Sequence, residues 1–237
     1  MPQPPHSSIP PSAGDPHREG SPGEPPKSSS EGLSPVLSPG SHSRSDRPPA
    51  SQLPDPMSDP FVRGSEYLNG LRQKALTSDA IAGGEDIIDR IRICTWIGEH
   101  IDALNQELAE CLCACHQCFP TQDRRAIEIF AAPIAPEFGI DALCNILLDP
   151  VVILIDVGRT APADWLSIVV HEYAHAHLKS PGHDRPFFEV LTHLCLGLGL
   201  PPPVVEGMDP QTMEATLRNW PHCGSTADSL AFWMGRE

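Results

Sequence analysis

No Phe, Trp or Tyr occurs in the first 60 residues, and the stretch that lacks them is dense in proline (16) and serine (14). Such a segment cannot bury enough apolar surface to offset the entropy of ordering it, so residues 1–60 are expected to be a disordered tail. Its start, MPQPPHSSIPPSAG, also lacks the basic end and apolar run of a secretory signal. Nor does the chain offer the roughly 20-residue apolar run of a membrane span. Its longest candidates, around Val151–Ile155 and Leu194–Leu200, are short. Positive charge is scarce, with 16 Lys and Arg against 31 Asp and Glu and a formal charge of −15. The tail holds seven acidic and four basic residues, so −12 of that belongs to residues 61–237. An acidic domain repels phosphate backbones, which argues against nucleic acid as a direct partner. Eight cysteines without a signal suggest reduced thiols in a cytoplasm rather than a disulfide framework.

What remains in residues 61–237 has a readable order. Between Glu85 and about Cys115, Ile88, Ile91, Trp96, Ile97, Ile101, Leu104, Leu108 and Leu112 recur at helical spacing, predicting one long amphipathic helix with a possible break near Gly98. RRAIEIFAAP (124–133) alternates like a strand, and DPVVILIDVGR (149–159) is a β-branched run. The piece between Gly139 and Leu148 fits a short helix, a turn or a third strand. Pro162 and Asp164 suit a helix start, and Ser180-Pro181-Gly182 its end near Lys179. A further helix from Phe187 to Leu200, apolar nearly all round, is expected to be buried and stopped by Pro201-Pro202-Pro203. A short helix near Pro210–Arg218 and a tail with Trp220, Phe232 and Trp233 follow; three large aromatics predict that the tail packs back onto the domain. Helix, small sheet, helix, helix reads as an α+β fold with a short mixed sheet.

Chemistry concentrates in VVHEYAHAHLKSPGHDRPFF (169–188). His171-Glu172-Tyr173-Ala174-His175 is an HExxH: residues four apart share a helix face, so both imidazoles can point at one ion, and Glu172 beside them can reach a water there. Leu166, Val169, Val170, Tyr173 and Ala174 form an apolar stripe that would fix the helix by packing. A catalytic zinc needs a third protein ligand and an open position. His177 lies about 200° round the helix from His175 and cannot face the same ion. His183 follows a proline and a glycine that would end the helix and let the chain fold back. Asp184 adjoins it as an oxygen donor. Glu189 is the rival: with Thr192 and His193 it makes a polar stripe on the buried helix, and buried polar groups need partners. Glu189 could be the third ligand or orient a ligand histidine, and His193 could aid oxyanion stabilisation.

HEYAH followed by a short turn, Gly182-His183 and Phe187-Phe188 resembles the minimal zinc metallopeptidases called SprT-like and YgjP-like, over about residues 150–195. The HExxHxxGxxH pattern of metzincins is absent, because Pro181 stands where its last His would be. The resemblance implies a small zincin-like domain over residues 61–237, one catalytic Zn2+ on His171, His175 and His183, and Glu172 as catalytic base. The expected activity is peptide hydrolysis, with Glu172 taking a proton from a zinc-bound water and returning it to the leaving amine. The alternatives are a non-catalytic zinc-stabilised binding protein and a zinc hydrolase of a non-peptide amide.

The strand Val151–Asp156 could serve as a cleft-edge strand that pairs with an extended peptide or protein substrate, with Asp156 and Arg159 as candidate contacts or a surface ion pair. In the tail, the run Pro22–Pro26 could dock a protein partner. CLCACHQCF (111–119) places Cys111, Cys115 and Cys118 on one helix face. With a single CxxC, Cys115 to Cys118, it reads as core packing before metal binding or redox sensing.

Overall fold

Asp59 and Pro60 open the first helix: the Asp59 carboxylate accepts from the Phe61 N–H at 2.9 Å, and Pro60 occupies the first helical position. The structure is a computed structural model, describing residues 59–205, 207–224 and 228–236; the rest of the Pro/Ser-rich tail, with its run Pro22–Pro26, lies outside them. The helix so opened, α1 (Pro60–Lys74), is missing from the sequence reading. It packs along the long helix α2 (Ile87–Gln117), which Asp86 caps by accepting from the Ile88 and Asp89 N–H groups, both at 2.8 Å.

The long helix is unbroken at Gly98. That glycine is there for α1: a Cβ on Gly98 would sit 1.9 Å from the Pro60 carbonyl oxygen, and one on Gly64 would sit 1.8 Å from that of Cys94. Two glycines therefore let the helix backbones touch.

After α2 come β1 (Ile127–Ala131), β2 (Ala142–Asn145) and β3 (Val151–Ile155), in a mixed sheet of order β1-β3-β2. The strand β3 runs parallel to β1 and antiparallel to β2, and all five of its residues are buried. The undecided piece 139–148 thus supplies a strand. It also takes the edge position expected for Val151–Asp156: β3 is central, with both backbone edges paired, so among the described residues β2 forms the sheet edge on that side.

The helix α3 (Trp165–Leu178) packs against α2, β2, β3 and α4 (Arg185–Leu198), with α5 (Pro210–Arg218) and α6 (Ser229–Trp233) after them. Among the described residues these six helices and three strands make an α+β fold, and no helix is long and apolar enough to cross a membrane. The expected burial of the helix after the HExxH holds for one face only: Phe187, Leu191, Leu194 and Cys195 are buried, while Leu196 is 68% exposed.

The aromatic tail packs back as expected. Trp233 is fully buried, and its indole N–H donates to Asp156 at 2.8 Å. Asp156 also accepts from the Gly158 and Ile134 N–H groups, so it is a buried clamp rather than a substrate contact. Burial pushes its pKa up to about 6 despite these donors. Arg159 pairs with Asp141 at 2.8 Å instead.

The glycine contacts give opposite expectations for two alanines. Gly98→Ala should lower the unfolding free energy by about 1–3 kcal/mol through overpacking. Gly70→Ala, with nothing near its Cβ position, should raise it by about 0.5–1 kcal/mol. Urea titration of the two variants measures both.

Candidate metal centre

From Ile168 to Ala176 every residue of α3 is buried. The HExxH is therefore held by the core on several sides, and its polar members open only onto one cleft. His171, Glu172 and His175 are 8%, 8% and 7% exposed. The helix ends at Lys179, which adopts a left-handed backbone (φ 51°), and the Ser180 N–H returns to the His175 carbonyl at 3.3 Å. The sequence pointed to Gly182 for this bend. Gly182 has no positive φ, and a Cβ there would meet only the Ser180 hydroxyl at 3.6 Å. The left-handed residue is the lysine, at some steric cost for a residue with a Cβ.

The loop that follows carries His183 back over the helix. The Nε2 atoms of His171, His175 and His183 then lie 3.2, 3.2 and 3.1 Å apart, and they could hold a metal ion. Two features test whether they fit one. Each nitrogen either donates or accepts a proton, so at least one pair in a triangle of neutral imidazoles must be alike and repel. A single cation resolves this by letting all three accept it. Tetrahedral zinc with bonds of about 2.0–2.1 Å would space its nitrogen ligands roughly 3.3–3.4 Å apart, close to what is found. The His175 Nδ1–H donates to the Ser180 carbonyl at 2.8 Å, leaving the Nε2 lone pair aimed at the centre. His171 Nδ1 is buried without a well-formed hydrogen bond; the Trp220 carbonyl is the nearby acceptor acting on it. Phe187, fully buried, packs against all three rings, with centroids at 5.1, 4.5 and 4.8 Å.

The remaining sequence candidates lie elsewhere. Glu189 forms an exposed ion pair with Arg185 at 2.9 Å. Asp184 caps α4, accepting from the Phe187 N–H. His193 is exposed and donates to the Cys118 carbonyl at 2.8 Å, with its ring against Phe119. Glu189 and His193 thus sit on the outer side of an amphipathic helix and need no metal site to satisfy them, whereas the Thr192 hydroxyl is buried without a partner. His177 stacks on Phe119, away from the triad, as its helical angle requires. Cys115 is buried with Cys111 and Cys118 half-buried, and Cys195 of α4 joins them; no metal-binding group forms there among the described residues.

The cleft over the triad has a volume of about 980 Å³. Its walls come from Gly139–Ile146 along the β2 edge and from Arg218–Gly224, which follow the end of α5. Neither wall was identified from the sequence, because nothing in a local pattern says which distant segments meet. Burial pushes Glu172 up to about 8. Cys144, in the β2 wall, is raised by its own burial and then by the Glu172 charge. Burial, then the neighbouring histidine charges, lower His171 to about 3. His183 falls to about 4 through burial, His175 and then Arg218. No family model, curated protein or solved structure matches the chain.

Two outcomes follow. His171 and His183 resist protonation when folded, so the unfolded chain binds more protons below its ordinary imidazole pKa of 6.5. In the metal-free protein the histidine contribution should be complete above about pH 6.5 and be lost as pH falls toward about 3, while the raised Glu172 and Asp156 carboxyls act in the opposite sense, so the difference between wild type and His171→Ala isolates the His171 part. Thermal unfolding across that window measures it. Separately, Gly182→Ala should leave metal affinity within about twofold, since neither backbone nor space demands glycine there. Titration with a metal-chelating competitor checks this.

Proposed function

We propose that this domain is a zinc-dependent metallopeptidase, a zincin-like enzyme that hydrolyses peptide bonds with Glu172 as general base. The observation that carries this reading is the convergence of three imidazole Nε2 atoms at 3.1–3.2 Å, beside a buried glutamate, on the floor of an open cleft. His171, His175 and His183 would hold the ion. Zinc there supplies Lewis acidity, making water a nucleophile near neutral pH and polarising a carbonyl.

Glu172 moves the proton. Its carboxylate is desolvated, so it binds a proton far more readily than an exposed glutamate. It can take one from the attacking water and pass it to the leaving amine. The free edge of β2 presents unpaired backbone groups to the cleft and suits an extended peptide adding itself as a further strand. The apolar side chains Ile140 and Ile146 line the same wall. A purely structural zinc would close its fourth position with a protein ligand; here the metal-binding group among the described residues has three members and faces space. This favours the enzyme over the binding-protein alternative.

Metal analysis of the purified protein should find about one zinc per chain, lost in His183→Ala and fully retained in Glu189→Ala. Glu172→Gln should keep its zinc and lose at least about 10²–10⁴-fold in peptide hydrolysis. Full zinc in His183→Ala would refute the ligand set, and undiminished hydrolysis by Glu172→Gln would refute the mechanism.

A further inference from the structure

The wall of the cleft facing β2 has a charge unlike the rest of the molecule. In a chain of formal charge −15, Arg218 is the only Lys or Arg among the described cleft-lining residues. It is the last residue of α5, and Asn219 and His222 line the cleft directly after it. All three offer hydrogen-bond donors. The acidic groups of the cleft do not cancel them: Asp141 is already paired with Arg159 at 2.8 Å, and Glu172 sits buried in the floor.

Among the described residues Arg218 has one partner, Glu214, at 2.7 Å in an exposed i,i+4 pair whose side chains are 64% and 51% exposed. Such pairs are weak and screened by salt. The guanidinium carries five N–H donors in a fork that matches a carboxylate in two-point fashion, so it can exchange or share Glu214 for an incoming acid. Arg218 lines the same cleft as His183, and its charge acts on that ring ahead of the opposing Glu214 and Asp184 charges. Elsewhere the negative molecule would repel an acidic peptide, so such a substrate needs a local cation to settle.

Resting on the peptidase reading above, we propose that the cleft selects peptides bearing a carboxylate close to the scissile bond, with Arg218 as its anchor and Asn219 and His222 as flanking donors. That carboxylate is either an Asp or Glu side chain or the free C-terminus of the substrate.

The test uses the full chain as zinc-loaded Glu172→Gln, so that bound peptides persist. Fluorescein-labelled peptides, in which one Asp is walked along a neutral sequence, are compared with their Asn counterparts. Each is made with a free or an amidated C-terminus. Fluorescence anisotropy should show the acidic form binding at least about tenfold tighter than its neutral twin, as a charge-assisted pair gives. In Glu172→Gln/Arg218→Ala, with zinc content checked as unchanged, the ratio should fall to within about twofold, and Arg218→Lys should restore part of it. A ratio that depends on Asp position assigns the side-chain source, and one that depends on amidation assigns the C-terminus. Equal binding of acidic and neutral peptides, a preference that survives Arg218→Ala, or binding of none of them overturns the proposal. Failure of the wild-type chain to cleave any peptide would refute hydrolysis instead, leaving the binding comparison intact.

Discussion

Three imidazoles cannot all be content at 3.1–3.2 Å from one another as neutral rings, since two of any three must present the same kind of nitrogen. The fold nevertheless holds them there. Two come from one face of α3, which the sheet, α2 and α4 bury almost completely. The third arrives by a loop whose Ser180 carbonyl also fixes the His175 tautomer. Phe187 supports all three rings from beneath. The surrounding packing makes sense as scaffolding that forces lone pairs together and leaves a cation as the natural way to relieve them.

The helix bearing the HExxH was legible because its signal is local: a four-residue spacing, an apolar stripe and clear boundaries. The choice between His183 and Glu189 was not, because it turned on which side of α4 faces inward. That helix reads as apolar nearly all round, yet its outer side is exposed and carries Leu196 with Glu189 and His193. A glutamate that looked buried and in need of partners is solvated and paired with Arg185. The bend before His183 was placed at Gly182 by residue type, whereas Lys179 adopts the left-handed conformation under the demands of its neighbours. Local propensity is a weak prior where tertiary structure decides.

Longer-range features were harder still. α1 escaped notice, although Asp59-Pro60 is a helix opening, because its buried residues Gly64, Leu68 and Leu71 make a sparse stripe. The sheet order, with β3 in the middle, gives the edge expected for Val151–Asp156 to the undecided piece between Gly139 and Leu148. Val151–Ile155 is apolar throughout because it is covered on all sides, not because it borders a groove. Asp156 looked like a surface acid at a strand end and is the anchor for Trp233, far along the chain. For Asp156 the partner that settles its role, Trp233, lies 77 positions away.

The cleft is assembled on two scales of chain distance. Its floor is contained within residues 171–183, whereas one wall lies upstream at 139–146 and the other at 218–224. The histidine triad thus lies upstream of the Arg218 wall, and Trp233 of α6 reaches back across 77 positions to Asp156. On the reading proposed above, the groups that would hold a metal and those that would sort substrates are therefore spelled by separate stretches of the chain.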